Sequence, residues 1–196
     1  MSGAAGARLG LADAGLESRS AEAFLEGVLR AYVPPSAAQA AERARMLEFL
    51  HEHEAPLERS CLAGHFTASA LVIHADGERA LLTHHRKLGR WLQLGGHCDG
   101  EANPARAALL EATEESGMEG LAIDPVPVDL DIHRIPARAG EPAHLHLDLR
   151  YLVYAPPGGR EVVGAESLDL AWVGLGELGG LDCDDSVRRL FAIGLG

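Results

Sequence analysis

Cysteines and basic residues are both scarce in this 196-residue chain. Three cysteines are an odd and sparse set, which argues against a disulfide framework and indicates a reducing compartment. Lys and Arg number 17 against 29 Asp and Glu, so the formal net charge is −12. Because non-specific affinity for nucleic acid depends on cations that meet phosphates, we expect no nucleic-acid partner.

Long apolar runs are missing as well. None approaches the roughly 20 residues that a membrane-spanning helix needs. The first residues also lack the charged start and continuous apolar run of a signal peptide. We therefore expect no membrane partner and a cytoplasmic location. The length fits one α/β domain with a modest extension.

Residues 1–58 are predicted to form an N-terminal helical extension. The first 17 or so, rich in Gly and Ala, are expected to be frayed. One helix is predicted from apolar residues on a single face, namely Ala21, Phe24, Leu25, Val28 and Leu29. A second is predicted to start at Ser36, with Gln39 as its capping-box partner. Its predicted buried residues are Ala40, Ala44, Leu47 and Leu50. This extension is expected to pack on the main domain or on a second subunit.

Residues 59–196 are predicted to form the main domain. Strand patterns occur in the segments FTASALVIH, ALLTHH, LGRWLQLGGH, PVPVDLDIHRI, HLHLDLRYLVYA and LDLAWVGL. The segment SVRRLFAIG is predicted to be a closing helix. A mixed sheet with helices on both sides is the economical α/β architecture for this order.

The most informative segment is a helix predicted from Pro104 to Ser116. Asn103 is a good cap before the proline, and Gly117 is a good stop. Spacings of three and four residues place three glutamates on one face, Glu111, Glu114 and Glu115. Like charges on one stripe repel one another unless a cation lies among them, and a divalent ion bound through oxygen is the simplest choice. The alternative is an ordinary solvated acidic face.

The segment from Gly96 to Met118 resembles the Nudix box: glycine, five residues, glutamate, seven residues, then Arg-Glu-apolar-x-Glu-Glu-x-Gly-apolar. Residues 111–118 match its carboxyl half position by position. Ala102 and Leu110 depart from it, since they stand where a structural glutamate and arginine pair belongs. Losing both together leaves no unpaired charge. Glu101, one place away, is a candidate replacement. The resemblance implies an active, divergent Nudix hydrolase with an α/β/α sandwich over about 59–196.

The same resemblance implies a metal site and a reaction. One to three Mg²⁺ or Mn²⁺ ions would be held by Glu111, Glu114, Glu115 and the backbone carbonyl of Gly96. One glutamate would act as general base, with Glu115, Glu114 and Glu166 as candidates. The substrate would be a small phosphorylated molecule, a nucleoside diphosphate linked to another moiety. A homodimer is a further expectation by analogy.

Polar residues alternate with leucines along the predicted strand HLHLDLRYLVYA: His144, His146, Asp148 and Arg150. Asp129, Asp131 and His133 repeat the pattern on the preceding strand. One solvent-facing side of an antiparallel strand would also give this pattern. If the strands are neighbours, the polar set could line a cleft with His97 and Asp99, and contact phosphate or hold a transition metal such as zinc.

Arg86, Lys87 and Arg90 precede Trp91. The run that follows resembles the family's Gly-x-Trp-x-x-Pro-Gly-Gly, with Leu94 in place of the proline. These cations are candidates for contacting substrate phosphates, or they form a solvated turn. The tryptophan is more typical of a packing residue than of a base-stacking platform.

Two other functions stay open. A binding or regulatory module without turnover is supported by Ala102 and Leu110. An enzyme similar to isopentenyl diphosphate isomerase is suggested by Cys98 beside His97. A buried, idle thiol is the alternative interpretation of Cys98.

Overall fold

The computed structural model describes residues 7–138 and 140–196. The helices are α1 (Glu22–Ala31), α2 (Ala37–Glu52), α3 (Pro104–Ser116) and α4 (Asp185–Leu195), with a 3-10 helix at Leu175–Gly180. The strands are β1 (Gly64–Ile73), β2 (Arg79–His85), β3 (Trp91–Leu92), β4 (Leu94–His97), β5 (Ala122–Ile123), β6 (Asp129–Ile135), β7 (His144–Tyr154) and β8 (Ser167–Gly174). Across these two described ranges, no helix is both long enough and apolar enough to cross a membrane.

Strands β1 and β7 form the centre of one mixed sheet. They run parallel, in register from Gly64 opposite Leu145 to Ile73 opposite Tyr154. All other pairings are antiparallel: β2 and β4 on β1, β5 and β6 on β7, and β3 and β8 on β2. Strand β4 pairs with β1 between Thr67 and Ala70, whereas β2 pairs with its far end. The sheet is therefore mixed, as predicted.

Helices cover both faces of this sheet. Side chains of β1 alternate, so Phe66 and Ala68 join the core formed with α1, α2 and α3. Leu71 and Ile73 join a second core formed with α4. Towards the start of β1 the face on the α4 side carries His65, Thr67 and Ser69 instead of apolar residues. The predicted α/β/α sandwich is confirmed, with a polar region on one face.

The N-terminal segment differs from the expectation of a frayed end. Residues 1–6 lie outside the described residues. From Leu9 onward the segment packs on the domain: Leu9 and Ile123 exchange two backbone hydrogen bonds of 2.8 Å, and Leu16 is fully buried. The prediction of fraying is therefore wrong for residues 9–17. Two well-placed leucines bury enough apolar surface to fix a stretch whose composition favours disorder.

Helix α2 begins as predicted but packs differently. Ser36 Oγ accepts from the Gln39 backbone N–H at 3.2 Å, which is half of a capping box. The Gln39 side chain turns away instead, donating to Leu130 O at 2.8 Å and accepting from Leu130 N at 2.9 Å. The amide thus pairs with backbone groups of β6. The buried residues are Gln39, Met46, Phe49 and Leu50. Ala44, predicted to be buried, is exposed.

Candidate active site

Helix α3 has the start and stop that its sequence predicts. Asn103 Oδ1 accepts from the Arg106 N–H at 3.4 Å, Pro104 occupies the first turn, and Gly117 ends the helix at φ 65°. The helix packs on β4 and β1. Glu111 and Glu115 face β4, whereas Glu114 is exposed.

Two glycines of β4 let the carboxylates approach the strand. The Gly95 N–H donates to Glu115 Oε2 at 3.0 Å. A Cβ built on Gly96 would lie 2.5 Å from the Glu111 carboxylate, and one on Gly95 would lie 2.6 Å from Ala68 O. Gly95 also has φ +146°, a conformation that favours glycine. The glycine pair therefore creates the gap into which Glu111 and Glu115 fit.

Burial and mutual repulsion perturb these acids. Burial raises the pKa of Glu111, and the charge of Glu114 adds to the effect. The pKa of Glu115 is raised to about 7, mainly by burial and in part by the charges of Glu111 and Glu166. The hydrogen bond from Gly95 has the opposite effect. The residue Glu166, on the loop before β8, thus lies close enough to act on both. Clustered, partly desolvated carboxylates fit a hard divalent cation, whose charge would relieve the repulsion.

A divalent metal should stabilise the protein more in mildly alkaline than in mildly acidic solution. Glu115 has a folded pKa above its ordinary value, so its contribution to stability is full below about 4.5 and is lost as pH rises through about 7. A bound cation offsets this loss, because it binds the charged form. We expect a larger rise in Tm with Mg²⁺ or Mn²⁺ over EDTA at about pH 8 than at about pH 5.5. Equal rises at both pH values would contradict this assignment.

The loop that carries Glu166 is held by Arg86. The Arg86 backbone N–H donates to Glu166 O at 3.0 Å, and its guanidinium donates to Ala165 O at 2.9 Å and Ser167 O at 2.8 Å. The Arg86 guanidinium, which was predicted to contact substrate phosphate, is therefore already used to hold this loop. Lys87 is exposed, and Arg90 pairs with Asp182 at 3.2 Å on the surface.

Trp91 is a packing residue and Cys98 a buried thiol, and neither is placed as a reactive group. Trp91 stacks on His84 with ring centroids 5.0 Å apart and packs against the α4 core. Cys98 is buried, and burial raises the pKa of its thiol. A buried, protonated thiol is a poor nucleophile.

Ala102 and Leu110 replace the ion pair of the family's motif, and other contacts hold the loop to α3 here. Ala102 is fully buried, and its N–H donates to Arg19 O at 2.7 Å. Glu101 Oε1 accepts from the backbone N–H groups of Arg19 at 2.7 Å and Asn103 at 2.8 Å. Its other oxygen lies 3.5 Å from Arg106 Nε. Glu101 and Arg106 therefore take over the role of the absent pair, and the N-terminal segment completes the brace.

Replacing Ala102 by Glu should destabilise the protein. The new carboxylate would enter an apolar core in which Leu110 supplies no positive charge, so the free energy of unfolding should fall by about 3–5 kcal/mol. Urea unfolding measures this change, with Ala38→Glu, at an exposed position in the first turn of α2, as the matched control. A more stable Ala102→Glu variant would contradict the assignment of Glu101 and Arg106 as the replacement for the absent ion pair.

Five histidines meet on the polar face. The His65 ring centroid lies 4.9 Å from each of the His97, His144 and His146 rings. His133 lies 5.4 Å from His146. The pKa of His97 is lowered to about 4 and that of His146 to about 2, mainly by burial and in part by neighbouring cationic and imidazole groups. Burial also lowers the pKa of His65, whereas at His133 burial is outweighed by the hydrogen bond to Asp131 together with nearby carboxylate charges, and the pKa is raised.

Strands β6 and β7 are neighbours, as the polar pattern suggested. His133 is opposite His146, Asp131 opposite Asp148, and Asp129 opposite Arg150. His65 was missed, because its place beside His146 depends on the parallel pairing of β1 with β7. Arg59 was missed too: it donates to both oxygens of Asp99 at 2.8 and 2.7 Å, and its charge reaches Glu111.

The acidic members of the polar set form a buried ion-pair network. Arg150 is 1% exposed and lies 2.8 Å from Asp148, 3.4 Å from Asp129 and 3.1 Å from Asp131. Its guanidinium also donates to Ser186 Oγ of α4 at 3.1 Å. These residues therefore fasten α4 to the sheet, which is a structural role.

Comparisons with known proteins agree with this geometry. The model of the NUDIX domain matches residues 64–191. A NUDIX-family hydrolase from Clostridium perfringens has 21% identity and a TM-score of 0.52, over 67% of this chain and 95% of that one. An Ap4A hydrolase from C. elegans has 17% identity and a TM-score of 0.53, over 65% and 92%. An E. coli dihydroneopterin triphosphate pyrophosphohydrolase has 18% identity and a TM-score of 0.53, over 66% and 94%.

No curated protein sequence matches the chain. At these identities the solved structures show a shared fold, and the domain match covers more than half of the chain. The resemblance drawn from residues 96–118 is therefore confirmed. This chain belongs to the Nudix family.

Proposed function

We propose that this protein is a metal-dependent hydrolase that cleaves a phosphoanhydride bond in a nucleoside diphosphate linked to another moiety. The observation that carries the proposal is the packing of Glu111 and Glu115 against Gly95 and Gly96, with raised pKa values and Glu166 nearby. Family membership and the hydrolases among the solved structures support a pyrophosphohydrolase.

Glu111, Glu114 and Glu115, with the Gly96 carbonyl, would hold one to three Mg²⁺ or Mn²⁺ ions. Such an ion neutralises phosphate oxygens and makes a bound water more acidic. Glu115 Oε2 already accepts from Gly95, which fixes that side chain. Glu166, on a loop held by Arg86, is the candidate that we favour for taking the proton from the attacking water. Glu115 and Glu114 are the alternatives.

Lys87, Arg90 and His97 are the proposed phosphate contacts, with Arg86 acting mainly through the loop. His144 and His146 would contact phosphate only if no metal ion occupies their ring nitrogens. His97 would do so as a neutral hydrogen-bonding group, since its pKa is lowered to about 4. A small phosphorylated substrate suits a chain whose net charge is −12 only if bound cations supply positive charge locally. A homodimer is a further proposal by analogy with the family, and a cytoplasmic location is one that rests on the composition.

The two alternatives have less support. A binding module without turnover has no need for three carboxylates crowded on one helix face. An isomerase of the isopentenyl diphosphate type would need an accessible thiolate, whereas Cys98 is buried and its thiol pKa is raised.

Phosphate release from a substrate panel tests the proposal. The panel contains ADP-ribose, dinucleoside polyphosphates, NADH, nucleotide sugars, nucleoside triphosphates and coenzyme A, with a phosphatase to liberate phosphate from monoester products. Each is assayed with Mg²⁺, Mn²⁺, Zn²⁺ or EDTA. Cleavage that needs a metal and is lost with EDTA supports the hydrolase and identifies its substrate class. Tight binding of one compound without any turnover would favour the binding module.

A further inference from the structure

Three imidazoles form a second cluster of possible metal ligands, with nitrogen rather than oxygen donors. His65 on β1 and His144 and His146 on β7 each place one ring nitrogen within 4.8 Å of the others. The parallel register brings His65 opposite His146, and neighbouring rings surround them. Convergence of three nitrogens from two central strands makes a compact, nitrogen-only donor set.

Within the described part of the chain, the His65 ring is buried without satisfied hydrogen bonds, which requires an explanation. It is 2% exposed, and among residues 7–138 and 140–196 neither ring nitrogen makes a hydrogen bond of ordinary geometry. The backbone of Cys61 lies near enough to the ring to raise its pKa against the effect of burial, but not in hydrogen-bonding geometry. Buried polar atoms almost always have a partner, because leaving them unpaired costs the free energy of desolvation. A ligand between the rings would satisfy the nitrogen that faces the group.

The hydrogen bonds of His144 show which of its nitrogens can bind a metal ion. His144 Nδ1 lies 3.0 Å from Pro142 O, and a carbonyl can only accept, so Nδ1 carries the proton and Nε2 is free to bind a metal. His146 Nε2 lies 3.2 Å from His144 Nε2, so without a metal the His146 N–H donates to it, and a bound metal ion would displace that proton. Two nitrogens bound tetrahedrally at about 2.0–2.1 Å from one zinc ion would be about 3.3 Å apart.

A carboxylate also orients one imidazole at the edge of the group. His133 Nδ1 lies 2.9 Å from Asp131 Oδ2, and its ring is 5.4 Å from the His146 ring. His133 is not one of the three ligands, but Asp131 fixes its ring against that of His146 and so limits the positions that the His146 ring can take.

We propose that His65, His144 and His146 bind one transition-metal ion of the zinc class through three imidazole nitrogens. Imidazole selects zinc and similar ions, whereas the glutamate site offers oxygen ligands that suit magnesium or manganese. Three protein ligands leave a fourth coordination position, and the His97 ring is 4.9 Å from that of His65 and 5.0 Å from that of His146. The proposal does not depend on the hydrolase activity.

Metal content of the untagged, full-length protein tests this site. After zinc loading and desalting, elemental analysis should find one zinc per chain, and cobalt(II) should give the visible absorption of a tetrahedral, nitrogen-ligated ion. His65→Gln and His146→Gln should each weaken zinc binding by more than about 100-fold. His51→Ala, which removes an exposed histidine of α2, should keep the wild-type zinc content.

The glutamate variants separate the two sites. Glu114→Gln and Glu115→Gln should retain zinc at this site whether or not the protein proves to be a hydrolase. Zinc lost from the glutamate variants but kept by the histidine variants would overturn the assignment. So would a wild-type protein that retains no zinc and gives no tetrahedral cobalt spectrum, a result that requires no variant to fold.

Discussion

Glu115→Gln should lower kcat by at least about 100-fold and leave the fold intact. The amide keeps the size of the side chain and can still accept from Gly95, but it is a far poorer cation ligand than a carboxylate. Losing about 3 kcal/mol of charge stabilisation in the transition state corresponds to roughly a factor of 100. Glu114→Gln should have an effect of the same order. The measurement is steady-state turnover of the substrate identified with the panel, at saturating metal.

Glu119→Gln is the matched control, because Glu119 is an exposed glutamate just beyond the end of α3. It removes the same charge a short distance from the site and should leave kcat within about twofold, as expected for a surface change. Circular dichroism and thermal unfolding establish that each variant is folded. Unchanged turnover in both Glu114→Gln and Glu115→Gln would refute the metal assignment.

Arg150→Met should lower the free energy of unfolding by about 3–5 kcal/mol, the usual cost of removing one partner from a buried ion pair. Met replaces the apolar stem of the arginine but removes its guanidinium, so the main loss is that of the charge and its hydrogen bonds. Asp148 would keep only its hydroxyl partners, Thr67 and Ser69, with Ser69 Oγ at 2.8 Å from Oδ2. Asp129 would retain Arg189, and Asp131 would retain Arg189 and His133. Urea unfolding at neutral pH measures the change.

The pH dependence of this variant provides a second check. Burial opposes ionisation of Asp131, but His133, Arg150 and Arg189 together hold its pKa well below the usual value. Its stabilising contribution is therefore present above its ordinary pKa and is lost as pH falls through the lowered one. The difference between wild type and Arg150→Met should shrink in acid, where the unpaired carboxylates can take up protons. A difference independent of pH would show that lost packing, not charge, dominates.

An exposed pair supplies the control for Arg150. Arg30 lies 2.6 Å from Glu26 one helical turn away on α1, and its side chain is exposed. Arg30→Met should change the free energy of unfolding by about 0.5 kcal/mol or less, since solvent screens such a pair. A loss as large as that of Arg150→Met would indicate a general effect of removing positive charge from an acidic protein.

Local patterns in the sequence determined much of the outcome. Helix α3, its cap at Asn103 and its stop at Gly117 depend on neighbouring residues, and the glutamate spacing depends on the helical repeat. Period-two alternation likewise determined that the histidines and aspartates of β6 and β7 share a face. These features follow from backbone geometry over a few residues, so the sequence suffices to predict them.

Tertiary structure decided which of those residues meet. Only the parallel pairing of β1 with β7 places His65 among the other histidines, and only the packing of the N-terminal segment lets Glu101 and Arg106 replace the missing brace. Tertiary structure also decided the contacts of Arg86, whose guanidinium donates to the backbone of the loop that carries Glu166. The physical reason is that contacts between distant residues depend on how strands pair and segments pack. The burial of the whole core determines this packing, and the spacing of residues within one segment does not specify it.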